Sequence, residues 1–358
     1  MEEVMAKHGG NIDKFYRKHG FYPLDFSANI SPLGMPGGVK NALMDAAAGA
    51  AVYPDPECTL LREAIAKNLS DAVGETIFPE QVYCGNGAAD LIYRLVYGIR
   101  PVKALLPAPC FLEYEAALQQ VDAEIVYYET SEKDQFRIKE DILDRITEDI
   151  ELVFITQPNN PTGAFCNMAL LHDIMQRCSD VGARLVVDEC FMEFVKDPAE
   201  HTMLPCVVDN NLVILKSFTK AYGMAGVRLG YLVTRDEMLI DILKRVGAPW
   251  SVSYLAQKAG IAALREDEFI GNLGEMIADG RKQLESGLKE LGIRVIPGEA
   301  NYLLLYCEKE NFKKLLEEKG ILIRTCIDYH GLGMGWYRIA VRKPEDNQKL
   351  LDACKEIL

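Results

Sequence analysis

An α/β architecture is predicted, in which a large domain with a mostly parallel, doubly wound sheet joins a smaller α+β domain. Three observations carry this. Short apolar runs separated by helical patterns recur from about residue 80 to residue 234. These runs do not alternate with polar residues, as suits strands covered by helices on both faces. After Trp250 the pattern changes to a long helical region followed by short strands, and 358 residues are more than one hydrophobic core usually serves. The expected divisions are an N-terminal arm over residues 1–34 that packs with the small domain and the site, a large domain over 35–248 and a small C-terminal domain over 249–358.

The arm opens polar, with His8-Gly9-Gly10-Asn11 before a short helical pattern. Leu24 to Gly34 is rich in small residues around Pro32 and reads as an irregular loop. A helix over Gly38–Ala48 leads to the stiff turn Tyr53-Pro54-Asp55-Pro56. The next helix has Leu60, Leu61, Ala64, Ile65 and Leu69 on one side. The strands of the large sheet are Gln81–Cys84, Val102–Leu106, Glu124–Tyr128, Leu152–Thr156, Arg184–Asp188, Leu212–Leu215 and Leu229–Thr234. The long helical region runs from about Tyr254 to Leu291. Strands at Arg294–Ile296 and Tyr302–Cys307, a helix near Asn311–Lys319, and strands at Ile321–Cys326 and Trp336–Val341 follow it. Pro344 begins the last helix, where its missing N–H has no intrahelical partner to lose.

A formal charge of −14 argues against a nucleic-acid partner, although a local basic site for an anionic metabolite is compatible with it. The ten cysteines are scattered and include no C-x-x-C pair, so they read as reduced thiols. Neither a signal-peptide pattern nor a run long enough to span a membrane is found, which predicts a cytoplasmic protein with no membrane partner. No metal ligand set is expected.

Ligands of open α/β sheets bind beyond the carboxyl ends of the strands, so the residues after each strand deserve inspection. Cys84-Gly85-Asn86-Gly87-Ala88-Ala89-Asp90 turns into a helix whose first N–H groups, at Gly87 and Ala88, suit a phosphate. Alone, such a turn identifies nothing. Gln157-Pro158-Asn159-Asn160-Pro161-Thr162-Gly163 stiffly presents amide side chains. Asp188 ends a buried strand and requires a donor or cationic partner. In Lys216-Ser217-Phe218-Thr219-Lys220, an apolar run ends in a lysine, with Arg228 eight residues further on. That setting suits a Schiff-base amine between two phosphate holders.

Together these four strand ends resemble the fold-type-I pyridoxal-phosphate enzymes, the aspartate-aminotransferase superfamily, over nearly the whole chain. The resemblance implies pyridoxal 5'-phosphate as cofactor, with Lys220 as its covalent anchor and Asp188 paired with its ring nitrogen. It implies Asn160 on the phenolic oxygen, Phe111 stacked on the ring, and Ser217, Arg228, Gly87 and Ala88 on the phosphate. Tyr53 resembles a tyrosine that reaches the cofactor phosphate of a partner subunit, implying a homodimer with composite sites. Arg338 resembles the arginine that grips the substrate's α-carboxylate.

Within the superfamily, His8–Asn11 and Asp25-Phe26-Ser27-Ala28-Asn29-Ile30-Ser31-Pro32 resemble the opening of the L-threonine-O-3-phosphate decarboxylases of cobalamin biosynthesis. Close relatives of these are the histidinol-phosphate aminotransferases. The likeness implies an amino-acid phosphate as substrate, with His8, Gly10, Asn29, Ser31, Asn160, Arg324 and Arg338 around it. Phe191 stands where most aminotransferases of the group carry a tyrosine, which is compatible with decarboxylation and counts against efficient transamination. Ser31 replaces an expected asparagine, which leaves L-serine phosphate open as a substrate, since one methyl is worth only about 1–3 kcal/mol of discrimination.

Overall fold

The computed structural model describes residues 9–208 and 212–358. The arm forms α1 (Ile12–His19) and β1 (Leu24–Asp25), and α2 (Gly37–Ala46) and α3 (Thr59–Val73) lead into the large sheet. The sheet and its crossovers comprise β2 (Val82–Gly85), α4 (Ala88–Ile99), β3 (Lys103–Ala108), α5 (Leu112–Gln119), β4 (Glu124–Glu129), β5 (Leu152–Thr156), α6 (Met168–Val181), β6 (Arg184–Asp188), β7 (Leu212–Ser217), β8 (Gly230–Val233) and α7 (Glu237–Arg245). Beyond them lie α8 (Tyr254–Ala263), α9 (Asp267–Glu290), β9 (Arg294–Ile296), β10 (Tyr302–Tyr306), α10 (Phe312–Glu318), β11 (Ile321–Leu322), β12 (Arg324–Thr325), β13 (Trp336–Ala340) and α11 (Pro344–Ile357).

The large sheet has seven strands in the order β2-β8-β7-β6-β5-β3-β4, and β8 alone runs antiparallel to its neighbours. Both faces are apolar, as the unalternating runs require. Leu106, Phe154, Val186 and Leu215 enter one core, while Leu105, Val153, Val187 and Ile214 enter the other. Helix ends follow local chemistry: Asn167 caps α6 by accepting from the N–H groups of Ala169 and Leu170, and Gly182 ends it in the left-handed conformation. Among the described residues no helix is long and apolar enough to cross a membrane.

The small sheet has the order β12-β13-β10-β9, and β1 of the arm pairs with β11. The run Ile321–Cys326 is therefore two short strands in different sheets, divided at Ile323. The predicted helix from Tyr254 to Leu291 is two helices. Glu266 leaves the helical conformation (φ −100°, ψ 44°), and Asp267 and Glu268 then suit the positive end of a new helix. Although it follows residue 249, α8 packs on α2 and α3, and its Ala256, Ala259 and Ala263 join the core of the large sheet. Leu60 is 60% exposed, and Leu61, Ile65, Ala66 and Leu69 make the buried face of α3.

Candidate active site

Three neighbouring parallel strands end in polar residues, Thr156 on β5, Asp188 on β6 and Ser217 on β7, and all three line one cavity of about 450 Å³. Ala88, Phe111, Asn160, Lys220 and Arg228 also line it from the large-sheet side. Asn29 from the arm loop, with Arg324, Tyr329 and Arg338 from beyond β11, adds to the lining.

Two lysines lie close together in the β7 segment, and their surroundings separate them. Lys216 is buried and paired with Glu193 at 2.9 Å and Glu189 at 3.5 Å. Burial alone would lower its pKa, but the two carboxylates overcome that and raise it. Lys220 sits on the turn after β7, half-buried, with Nζ 4.5 Å from the centre of the Phe191 ring. Among the described residues no carboxylate lies within ion-pair distance of it, so Lys220 is the amine available for chemistry.

Asp188 is 4% exposed, and it finds donors rather than a cation. Its Oδ1 accepts from the Cys190 N–H at 2.9 Å and its Oδ2 from the Tyr114 hydroxyl at 2.6 Å. Tyr114 is fully buried, and burial first, then the Asp188 charge, pushes its pKa well above the usual phenol value. It therefore stays a neutral donor. Sequence reasoning missed this residue, although it lies only three positions after Phe111, which precedes α5 in extended conformation and meets the Tyr114 ring edge-on at 5.6 Å.

Helix α4 begins at the cavity with no side chain capping its first turn. The Gly87 N–H, expected to face a phosphate, donates instead to Gly85 O at 2.8 Å. Gly87 serves by its size: at φ +85°, a Cβ there would lie 2.6 Å from Arg228 Nη2. A Cβ on Gly230 would lie 2.7 Å from the Ala88 nitrogen. The helix start, Arg228 and Ser217 thus close on one small space, and this donor set fits a phosphate group.

Arg338 is 7% exposed and held by neutral acceptors, with Nη1 donating to Asn160 Oδ1 at 2.6 Å and Nη2 to Ser27 O at 3.2 Å. The arginine can only donate, so the Asn160 oxygen must face it and the amide nitrogen is the end left for a ligand. Arg324 pairs with Asp328 at 2.6 Å. Tyr329 lies between the arginines. Its ring is 5.6 Å from the Arg324 guanidinium and its hydroxyl 3.5 Å from Arg338 Nη1, and burial raises its pKa to about 12. Asn29 Oδ1 and Arg338 Nε are buried without a hydrogen-bond partner among the described residues.

Other expected site residues fall elsewhere. Gly10 lines a neighbouring cleft and donates its N–H to Ser27 Oγ at 2.7 Å. Ser31 does not line the cavity. Its N–H donates to Lys220 O at 2.9 Å, tying the arm loop to the lysine turn. Tyr53 is 79% exposed, leans on Trp250 at 4.8 Å and does not line the cavity of its own chain. His8 lies outside the described residues.

The model of the aminotransferase class I and II family matches residues 23–354. The chain is 36% identical to the threonine-phosphate decarboxylase of Salmonella typhimurium (strain LT2), over 99% of this chain and 97% of that protein. It is 28% identical to the histidinol-phosphate aminotransferase of Methanocaldococcus jannaschii, over 98% and 94% of the two chains. The solved histidinol-phosphate aminotransferase of Clostridium acetobutylicum superposes with a TM-score of 0.84 at 26% identity, covering 93% of this chain and 98% of that one.

Proposed function

This chain belongs to the aminotransferase class I and II family, and from that premise we propose that it decarboxylates L-threonine O-3-phosphate with pyridoxal 5'-phosphate. The products are carbon dioxide and (R)-1-aminopropan-2-yl phosphate, the latter destined for cobalamin biosynthesis. The observation that carries the reading is the meeting of Lys220 and Asp188 with two arginines, Arg324 and Arg338, in one cavity. A doubly anionic amino-acid phosphate needs two cationic grips, and this otherwise acidic protein supplies both.

Ser217, Arg228 and the start of α4 would hold the cofactor's phosphate, Phe111 its ring face, Asp188 its ring nitrogen and Lys220 its aldehyde carbon. When bound, the cofactor supplies an electron sink for the bond broken at the substrate's α-carbon. Which bond breaks depends on how the substrate is held. Arg338, whose partners are neutral, keeps its charge free for a carboxylate, and Asn160 fixes the guanidinium plane. Arg324 takes the phosphate. Lys220 Nζ is the group positioned to deliver a proton to the α-carbon after the carboxylate has left. Phe191 presents a ring face to Lys220 and no hydroxyl to the cofactor, which supports decarboxylation over the alternative, transamination of histidinol phosphate with 2-oxoglutarate. The protein acts as a homodimer in this reading, with Tyr53 completing the partner's site.

Two incubations test it. L-threonine phosphate should yield carbon dioxide and aminopropanol phosphate, whereas histidinol phosphate with 2-oxoglutarate should yield little glutamate. Turnover of the second pair alone overturns the decarboxylase reading. Lys220→Ala should lower turnover by about 10²–10⁴-fold or more while the phosphate cradle still retains some cofactor. Unchanged turnover in that variant would refute the role of Lys220.

A further inference from the structure

The two substrate-facing arginines are held differently. Arg338 has neutral oxygen partners. Arg324 has an ionic one: Nη2 donates to Asp328 Oδ2 at 2.6 Å, and Nη1 donates to the Thr325 carbonyl at 2.6 Å. The Arg324 side chain is 5% exposed. The other carboxylate oxygen, Asp328 Oδ1, is buried with no hydrogen-bond partner among the described residues. A carboxylate serving only as a clamp in the finished site would gain by satisfying both oxygens, because an unpaired buried acceptor costs about 1–3 kcal/mol. Asp328 instead spends one oxygen on the arginine and leaves the other unmet.

We infer that Asp328 is an internal competitor for Arg324, standing where a substrate phosphate must draw on the same guanidinium, so that anion binding exchanges one partner for the other. This rests on the reading of Arg324 as the phosphate grip. Three consecutive residues of the turn after β12 make the exchange consequential. Asp328 holds Arg324, Tyr329 lies against Arg324 and reaches Arg338, and His330 stacks on Tyr127 at 3.9 Å with Nε2 3.1 Å from Glu129. Release of Asp328 therefore pulls on a turn that touches both arginines and the β4 edge of the large sheet. The competition makes Arg324 selective, because an anion must outbid a carboxylate already in place, and a phosphomonoester carries more charge than the carboxylate it displaces.

The test uses the cofactor-loaded enzyme and its Asp328→Asn and Asp328→Ala variants, with the cofactor's absorbance as the binding signal. Each is titrated with O-phospho-L-threonine, with histidinol phosphate as a second phosphomonoester, and with L-threonine as the phosphate-free control. Both variants should bind both phosphomonoesters about tenfold more tightly, since a like charge beside the phosphate is removed, and should bind L-threonine as before. Unchanged or weaker phosphomonoester binding in whichever variant keeps the native melting profile overturns the inference. Equal tightening of L-threonine, or no phosphomonoester binding in any form, overturns it too. Carbon dioxide release is measured separately, so loss of the decarboxylase reading is distinguished from loss of this one.

Discussion

Tyr114 and Asp188, 2.6 Å apart, the first fully buried and the second at the cavity wall, show how the residues proposed for the chemistry are held. Asp188 is left with its remaining lone pairs for a ligand, while Tyr114 and the Cys190 N–H fix the carboxylate plane. Tyr114→Phe removes a hydrogen bond to a charged group and should cost about 1.5–3 kcal/mol in urea unfolding of the cofactor-free protein. The same variant should bind pyridoxal 5'-phosphate more weakly on reconstitution and alter the circular dichroism of the bound cofactor, because the carboxylate we propose for the ring nitrogen is no longer fixed. Normal affinity with an unaltered cofactor signal would show that Tyr114 only fills space. At this scale the sequence made Lys220, Asp188, Asn160, Arg228 and Arg338 legible, because each follows or lies on a strand and carries a distinctive side chain. It hid the roles of Tyr114 and Asp328, whose partners are 74 residues away for the first and set by a turn's geometry for the second.

At the scale of elements, the cradle we propose for the cofactor's phosphate is built by close approach. Strand β8 lies beside β2, and Gly230 leaves room for the start of α4 directly above it. Gly230→Ala would place a methyl 2.7 Å from the Ala88 nitrogen and 3.0 Å from the Gly87 carbonyl carbon, both backbone atoms that cannot swing away. It should weaken cofactor binding by about tenfold or more and destabilise the fold by about 1–3 kcal/mol, as overpacking does. Reconstitution of the apoprotein and thermal melting would measure the two effects, and wild-type affinity would argue that the cradle is not here. The helices and central strands were readable because period and apolar runs are local properties. The break between α8 and α9 and the splitting of Ile321–Cys326 were not, since both depend on which neighbour each half packs or pairs with.

Across the whole molecule, the arm and the two sheets converge on one cavity, and the Ser31-to-Lys220 and β1-to-β11 hydrogen bonds tie the arm to both sides of it. Tyr53, exposed on its own chain, belongs to the dimer in our proposal. Mixing Tyr53→Phe subunits with Lys220→Ala subunits should then restore sites in which a sound Lys220 meets a sound Tyr53 from the partner. Activity rising above that of either variant alone would bear this out, and a merely additive mixture would refute composite sites. The sequence by itself determined the doubly wound α/β class and the family and pointed to the residues we propose around the cofactor, because those signals lie in short, contiguous strand ends. Only the tertiary structure decided that Lys216 is held in ion pairs while Lys220 has no carboxylate partner among the described residues, that Gly87 contributes space rather than a free N–H, and that Asp328 occupies Arg324. Each of those outcomes is a matter of distance between charges or backbones far apart in the chain, and distance is a property of the packed fold.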